Sequence, residues 1–285
     1  MKIASLHSYP VKSGRVINLE SSSIDPLGLD YDRRWVIVQA EEDAELSARR
    51  FISQRSHPQL ARLIAIPSKD KLELYFDGAS YSLDFKAPTQ MSPISVWRDD
   101  FDAAIYQDPV NEWISKCLGG RFLLASLTGP TRRCRESDMR DGAFDMSFAD
   151  GYPILIATTA SLQAVNDYVT AQGEAALPMA RFRPNIVIDG ALPWQEDSWK
   201  RLKIGELIIE CVKPCTRCIM TTLDPNSGES QGNGALDALT KLRRSADKRL
   251  KGVLFGTNAI ALGSGHITRG DKVEVLETQT PWPIA

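Results

Sequence analysis

The sequence predicts a β-rich α+β protein, with a small antiparallel barrel or sandwich ahead of a region that mixes strands and helices. Three observations predict it. Short runs alternate apolar and polar residues through the first hundred positions; one run is broken by an Asp-Gly turn; and helical spacing of apolar residues is confined to three later segments.

The run "RRWVIVQA" (33–40) is β-branched and apolar, as a buried strand should be. In "KLELYFDGASYSLDF" (71–85) Leu72, Leu74 and Phe76 alternate, Asp77-Gly78 supplies a turn, and Tyr81, Leu83 and Phe85 resume the alternation, so a hairpin is expected. "HPQLARLIAIP" before it and "SPISVW" after it complete the small barrel or sandwich. "DPVNEWISKCLGG" (108–120) has an Asp cap, a proline at the first helical position, apolar residues at 110, 113, 114, 117 and 118 and a glycine stop. It predicts a helix with Cys117 on the buried face. Further strands are expected in "RFLLASL", "RFRPNIVIDG", "GELIIECV" and "DKVEVLE". Two more helices are expected, one from the Thr/Ser cap of "TTASLQAVNDYVTAQG" to Gly173, the other over 235–251 with a basic outer side. The least regular stretch, about 129–151, reads as the link between the halves.

Composition excludes several classes. With 285 residues, 43% apolar and 25% charged, the chain can bury a sizeable core, and 34 Lys plus Arg against 36 Asp plus Glu give a net charge of -2. No global charge calls for nucleic acid or an anionic membrane, so any anion site must be local. The N-terminus turns polar too early for a signal peptide and no stretch is apolar enough to span a bilayer, so a cytoplasmic protein with reduced thiols is expected, without a membrane partner.

The cysteines raise the chemical question, because three of the five fall between 211 and 218. Zinc needs four ligands; Cys215 and Cys218 have no second pair, although Cys211 and a distant His266 could contribute. A thioredoxin-like motif should open a helix, whereas "CTRCIMTTLDP" runs into β-branched residues and a turn. An iron–sulfur cluster would require four suitably spaced thiolates. Cys211, alternating with Leu207 and Ile209, reads as a core residue, while Lys213 and Arg217 would favour thiolate at Cys215 or Cys218 for a soft metal whose cofactor brings its own sulfurs.

Seven motifs then stand in order: "YPVKS" (9–13), "DRRW" (32–35), "FADGYPILIATTASL" (148–162), "RFRPNIVIDG" (181–190), "PCTRCIMTTLDPNSG" (214–228), "LFGTNAIAL" (254–262) and "RGDKVEVL" (269–276). Spanning nearly the whole chain, they resemble the MOSC family, in particular the two-part kind that includes the mitochondrial amidoxime-reducing component and its bacterial relatives. The resemblance implies an N-terminal MOSC-type β-barrel over 1–125 packed against a C-terminal MOSC mixed β-barrel with flanking helices over 126–285. It implies a molybdenum–molybdopterin cofactor and assigns Cys218 as the molybdenum ligand, with Cys215 a neighbour. Lys12, Ser13, Arg33, Arg183, Thr216 and Arg217 are implied to hold the pterin and its phosphate, for which guanidinium forks suit the geometry. Gly151, Tyr152 and Asn258 are implied at the pocket's edge. Some relatives carry small hydroxyl residues at the first two and a tyrosine at the third, so only backbone bonds are expected at Gly151.

The activity so implied is reduction of N-hydroxylated compounds with release of water. Some relatives carry a C-terminal ferredoxin domain, which this sequence is expected to lack; no iron–sulfur cluster or pyridoxal phosphate is expected, and electrons should come from a separate donor protein of ferredoxin, flavoprotein or cytochrome type. The alternative is a molybdenum-cofactor binding or sulfur-carrier module without turnover. Outside the motifs, His7, His57 and His266 read as structural, Trp97, Trp113, Trp194 and Trp199 as core or interdomain anchors, and Asp224 and Asn226 as turn residues able to orient water or substrate.

Overall fold

A computed structural model describes residues 1–127, 133–135 as backbone, 139–140 and 142–285. The expected link over 129–151 falls partly on 128–132, 136–138 and 141, outside the described residues; within it Arg133–Arg135 pairs with Phe144–Met146.

The largest sheet has eight strands in the order Ile17–Leu19, Lys2–Ser8, Ile186–Asp189, Ile154–Thr158, Val253–Ala261, Leu207–Arg217, Trp199–Ile204 and Val273–Thr278. It nearly closes on itself, because Lys2 bridges Lys272 and Val273 N donates to Met1 O (3.0 Å), bringing the first and last strands together. The N-terminal segment is thereby built into the C-terminal sheet: Leu6 pairs with Ile186, Ser21–Asp25 pairs with Gly265–Thr268, and Ile3, Leu6, Ile24 and Leu29 share a core with Ile156, Ile188 and Trp199.

A second sheet orders Trp35–Gln39, Phe122–Ser126, Asp99–Tyr106, Thr89–Val96 and Arg49–Arg50. Its first strand is buried on both faces: Trp35 and Ile37 enter one core while Val36 and Val38 enter another beside Phe148. The hairpin forms as expected between Lys71–Phe76 and Ala79–Asp84, with Asp77 (φ 46°) and Gly78 (φ 84°) both left-handed as a tight hairpin turn demands.

Three α-helices occur among the described residues, over Val110–Leu118, Thr159–Ala171 and Gly234–Leu242. The first is capped by the Asp108 carboxylate, which accepts from Val110 N (2.9 Å), but it buries Val110, Ile114 and Leu118 and leaves Cys117 half-buried rather than fully inside. The second starts at Thr158, whose side chain accepts from Ser161 N. The third corrects the expectation of a helix to 251, because it stops at Leu242: Arg243 turns inward to pair with buried Asp197, and Arg244 then bridges Val253. A buried ion pair prevails over helix propensity at that point.

Candidate functional site

Two of the motifs lie side by side because the chain that carries "YPVKS" runs beside the start of the Trp35 strand. Lys12 N donates to Trp35 O (2.7 Å), Trp35 N to Pro10 O (3.1 Å) and Arg33 N to Tyr9 O (3.0 Å). Asp32, fully buried, accepts from Tyr9 N (2.8 Å) and pairs with Arg33 Nη1 (2.5 Å). The motif "RFRPNIVIDG" arrives through Asn185, whose carboxamide oxygen accepts from Leu155 N (3.1 Å) and Arg33 Nη1 (3.3 Å) while Nδ2 donates to His7 O (3.2 Å). Tyr9, Asp32 and Asn185 are thus the braces of the site, and each lies inside a motif without having been singled out.

Arg33 and Arg183 both stack on the Tyr9 ring, with guanidinium carbons 4.4 and 4.1 Å from its centroid. Arg183 also donates to Gly14 O (3.0 Å). Burial pulls the Arg183 pKa down to about 10, with Arg33 adding to the effect, so it stays charged at neutral pH. Burial also works against a charged Arg33, but Asp32 and Tyr9 outweigh it and hold its pKa above the ordinary value. Tyr9 itself is pushed up to about 12 by burial, against the pull of the two arginines, and remains a neutral platform. The backbone is held in the left-handed region at Ser13 (φ 65°), Arg33 (φ 50°), Trp97 (φ 61°) and Arg183 (φ 54°). Non-glycine residues avoid this region, so its concentration here marks a site whose side-chain directions are imposed by the surrounding fold.

The cysteines follow on the strand Leu207–Arg217, whose pairing with Val253–Ala261 shifts register between Cys211 and Lys213 and again between Pro214 and Thr216. Such irregularities re-aim the side chains beyond them. Asn258 Nδ2 donates to Pro214 O (3.3 Å) and Thr257 Oγ1 to Lys213 O (3.3 Å), fixing the bulged segment from behind. Cys211 is buried, and burial pushes its thiol far above the usual range, in keeping with a core residue. Cys215 and Cys218 are half-buried, and Thr216 stands exposed between them. Arg217 Nη1 donates to Cys215 Sγ (3.0 Å) and Nη2 to Phe182 O (2.8 Å), next to Arg183.

Cys218 is connected to the N-terminal half by residues outside every motif. Arg55 Nη2 donates to Cys218 Sγ (3.1 Å) and the Arg55 guanidinium lies 4.6 Å over the Trp97 ring. Trp97 Nε1 donates to Asp150 Oδ1 (2.8 Å), and Asp150 pairs with Lys12, whose ammonium also donates to Phe148 O (2.8 Å). Hydration lost to the surrounding groups opposes charge on Asp150, but Lys12 and the Trp97 hydrogen bond hold its carboxyl well below the usual range. The Asp150 side chain is nonetheless 70% open to solvent, so this pair positions charge without adding much stability. Trp97, expected as an anchor in a core or between domains, is 42% exposed and bridges the two halves through its indole N–H.

At the edge, Tyr152 stacks on Phe144 (5.1 Å) and lies under the Lys213 ammonium (5.7 Å). A side chain added at Gly151 would meet nothing within 4 Å, which leaves open space there. Asp224, expected to orient water or substrate, instead spends Oδ1 on Asn226 N and Ser227 N (2.9 Å each) and Oδ2 on Gln231 (3.0 Å). The histidines have structural surroundings: His7 lies between Ser5 and Asn18, His57 against Ser56 and Phe122, and His266 on an outer strand. A recess of about 490 Å³ lined by Lys2, Glu20, Asp189 and Arg269 shares no residue with this cluster.

The sequence profile of the MOSC N-terminal beta barrel domain matches residues 1–121, and that of the MOSC domain matches residues 143–274. A molybdenum cofactor sulfurase of Oryza sativa subsp. japonica is 27% identical over 98% of this chain, which spans only 35% of that protein's length. Mitochondrial amidoxime-reducing component 1 is 28% identical in Homo sapiens and 27% in Mus musculus, each over 96% of this chain and 82% of the relative. The two profiles meet where Tyr9, Arg33 and Arg183 bring their segments into contact, and on this evidence the chain belongs to the MOSC family and carries its N-terminal barrel domain.

Proposed function

We propose that the protein is a molybdenum-cofactor oxidoreductase that reduces N-hydroxylated compounds with electrons from a separate donor protein. The observation that carries the reading is one half-exposed thiol, Cys218, beside a concentrated set of cations braced from both halves of the chain. The residues fit such a cofactor. Among the described residues no group of three or more His, Cys, Asp and Glu could hold a metal, so Cys218 would offer a single thiolate to a centre already supplied with pterin sulfurs. Arg217 Nε is buried with no hydrogen-bond partner, a donor that a pterin edge would satisfy.

When bound, the cofactor supplies the two-electron chemistry by which the oxygen of the substrate leaves as water. Arg33, Arg183 and Lys12 would hold the phosphate and pterin at fixed charges, Tyr9 and Asp32 keeping the two guanidinium groups in place. Ser13, Thr216, Arg217, Gly151, Tyr152 and Asn258 would complete the cradle and its rim. Exposed Ile219 beside Cys218 and exposed Trp97 give the open side an apolar character suited to an organic substrate.

The test is Cys218→Ser against Cys211→Ser in protein loaded with molybdenum and supplied with a chemical reductant and an amidoxime. Cys218→Ser should lose turnover while keeping the fold, and Cys211→Ser should lose stability first; full turnover by Cys218→Ser would refute the assignment. The similarity to a molybdenum cofactor sulfurase favours a second reading, a cofactor or sulfur carrier. Transfer of cofactor or sulfur to an acceptor protein, with no N-reduction by molybdenum-replete protein, would select it.

A further inference from the structure

We propose that Arg55, laid on Trp97, is a specificity-determining residue on the open side of Cys218 and selects small molecules that carry an anionic oxygen next to an apolar or aromatic part. The cations of the cradle are committed: Arg33 to Asp32 and Asn185, Arg183 to Gly14 O, Arg217 to Phe182 O, Lys12 to Asp150. Arg55 differs from all of them. It is exposed, it comes from the turn at 53–57 on the N-terminal side, and no carboxylate accepts from its guanidinium among the described residues. What fixes it is the Trp97 ring at 4.6 Å and the Cys218 sulfur at 3.1 Å.

This geometry places a positive fork at the sulfur without closing the site. Trp97 cannot swing freely, because its N–H is bonded to Asp150 (2.8 Å) and Phe51 packs against its ring edge-on at 4.9 Å. The Arg55 guanidinium lies against Trp97, which is 42% exposed, and bonds the sulfur of Cys218, whose chain neighbour Ile219 is 55% exposed, so apolar surface accompanies the exposed cation. A guanidinium with spare donors next to apolar surface recognises a carboxylate or similar oxyanion on an organic body. The pterin phosphate is the other source of anionic oxygen; under the proposed function it would fall to Lys12, Arg33 and Arg183, which are braced by Asp150, Asp32 and Gly14 O, and Arg55 stands outside that group.

The inference rests on the oxidoreductase reading, and the first experiment separates the two because it needs neither molybdenum nor turnover. The full chain, purified without molybdenum, is alkylated at one pH with iodoacetate and with iodoacetamide, and the rate at Cys218 is followed by peptide mass spectrometry. Taking the ratio of the two rates cancels the thiolate fraction and leaves the effect of the reagent's charge. The ratio at Cys218 should fall about threefold or more in Arg55→Gln, be largely kept in Arg55→Lys, and shrink in the wild type with added salt, as expected for steering by an exposed cation. Cys215, held by Arg217, serves as the internal reference and should not change. An unchanged Cys218 ratio in Arg55→Gln overturns the proposal. The second experiment distinguishes the sources of the anion in loaded protein: pterin content should be the same in Arg55→Gln and wild type, while KM for a carboxylate-bearing N-hydroxylated substrate rises relative to a neutral one. Loss of pterin from Arg55→Gln would assign the residue to the phosphate instead and overturn its role in substrate selection.

Discussion

Arg183 lies 4.1 Å over the ring of Tyr9, and the same ring carries Arg33 at 4.4 Å. Two guanidinium groups are therefore packed on one neutral aromatic, with a single buried carboxylate, Asp32, paired to Arg33. Gathering like charges this way is unfavourable unless an anion completes the set. Arg33→Ala or Arg183→Ala should each lower the molybdopterin retained by purified protein more than tenfold under dilute conditions, since a lost charge-assisted bond costs roughly 1.5–3 kcal/mol. Pterin fluorescence after oxidation measures the content, and unchanged retention would contradict the cradle.

The loop behind the cysteines is fitted against the N-terminal half at Gly228. Its φ of 79° is left-handed, and a Cβ there would sit 2.0 Å from Pro58 O, a backbone atom with little freedom to move. Arg15, which donates to Ala61 O (3.0 Å), also reaches Asn226 O across the same junction. Gly228→Ala should therefore destabilise the protein by about 2 kcal/mol or more, in part by parting the halves around Cys218. Urea denaturation would measure the loss, and a wild-type midpoint would count against a tight junction.

How much of this was legible in the sequence varied with the distance over which the cause acts. The Asp77-Gly78 hairpin and the Asp108-capped helix were legible because a turn and a cap are decided within a few residues. The pairing of Lys2–Ser8 with Ile186–Asp189 was not, since a strand alternating as "KIASLHS" does not name its partner. The third helix was overestimated because apolar spacing continues to Leu250, which is indeed buried, while the turn of Arg243 toward Asp197 depends on a residue far along the chain. At the site, Lys12, Arg33, Arg183 and Cys218 lay in motifs, as did Tyr9, Asp32, Asn185 and Asp150. Arg55 and Trp97 lay in none; they reach Cys218 only through the fold.

Glu196 should make stability depend on pH. It is buried beside Asp197, with Oε2 accepting from Ser161 (2.9 Å) and Oε1 unpartnered, and burial raises its pKa from 4.5 to about 7, the Ser161 hydrogen bond opposing and Asp197 adding. A raised carboxyl pKa means that the folded state keeps a proton the unfolded chain has lost. Its contribution is full below pH 4.5 and declines as pH rises through about 7, by up to about 3 kcal/mol. Glu196→Gln cannot ionise and should flatten this slope. Urea midpoints at pH 5 and pH 8 would show it, and equal slopes in variant and wild type would sink the idea.

The final prediction concerns how electrons would reach the site under the proposed oxidoreductase function. The basic segment at 241–249 is not one helix face: Lys241 lies in the last turn of the third helix, Arg244 bridges Val253, and Arg249 is engaged by Asp247 (2.6 Å) and stacks over Trp282 (5.2 Å). Lys241, Arg244 and Lys248 remain exposed, enough for an acidic donor protein to be steered toward them. Exposed charges are screened over ~8–10 Å at ordinary ionic strength, so donor-driven turnover should fall with added salt while turnover driven by a small neutral reductant falls much less. Lys241→Glu combined with Lys248→Glu should reproduce the effect at low salt, raising the donor's KM severalfold and leaving the small-reductant rate unchanged. Equal salt sensitivity with both reductants, or a donor KM untouched by the charge reversals, would move the docking surface elsewhere and return these residues to an ordinary solvated edge.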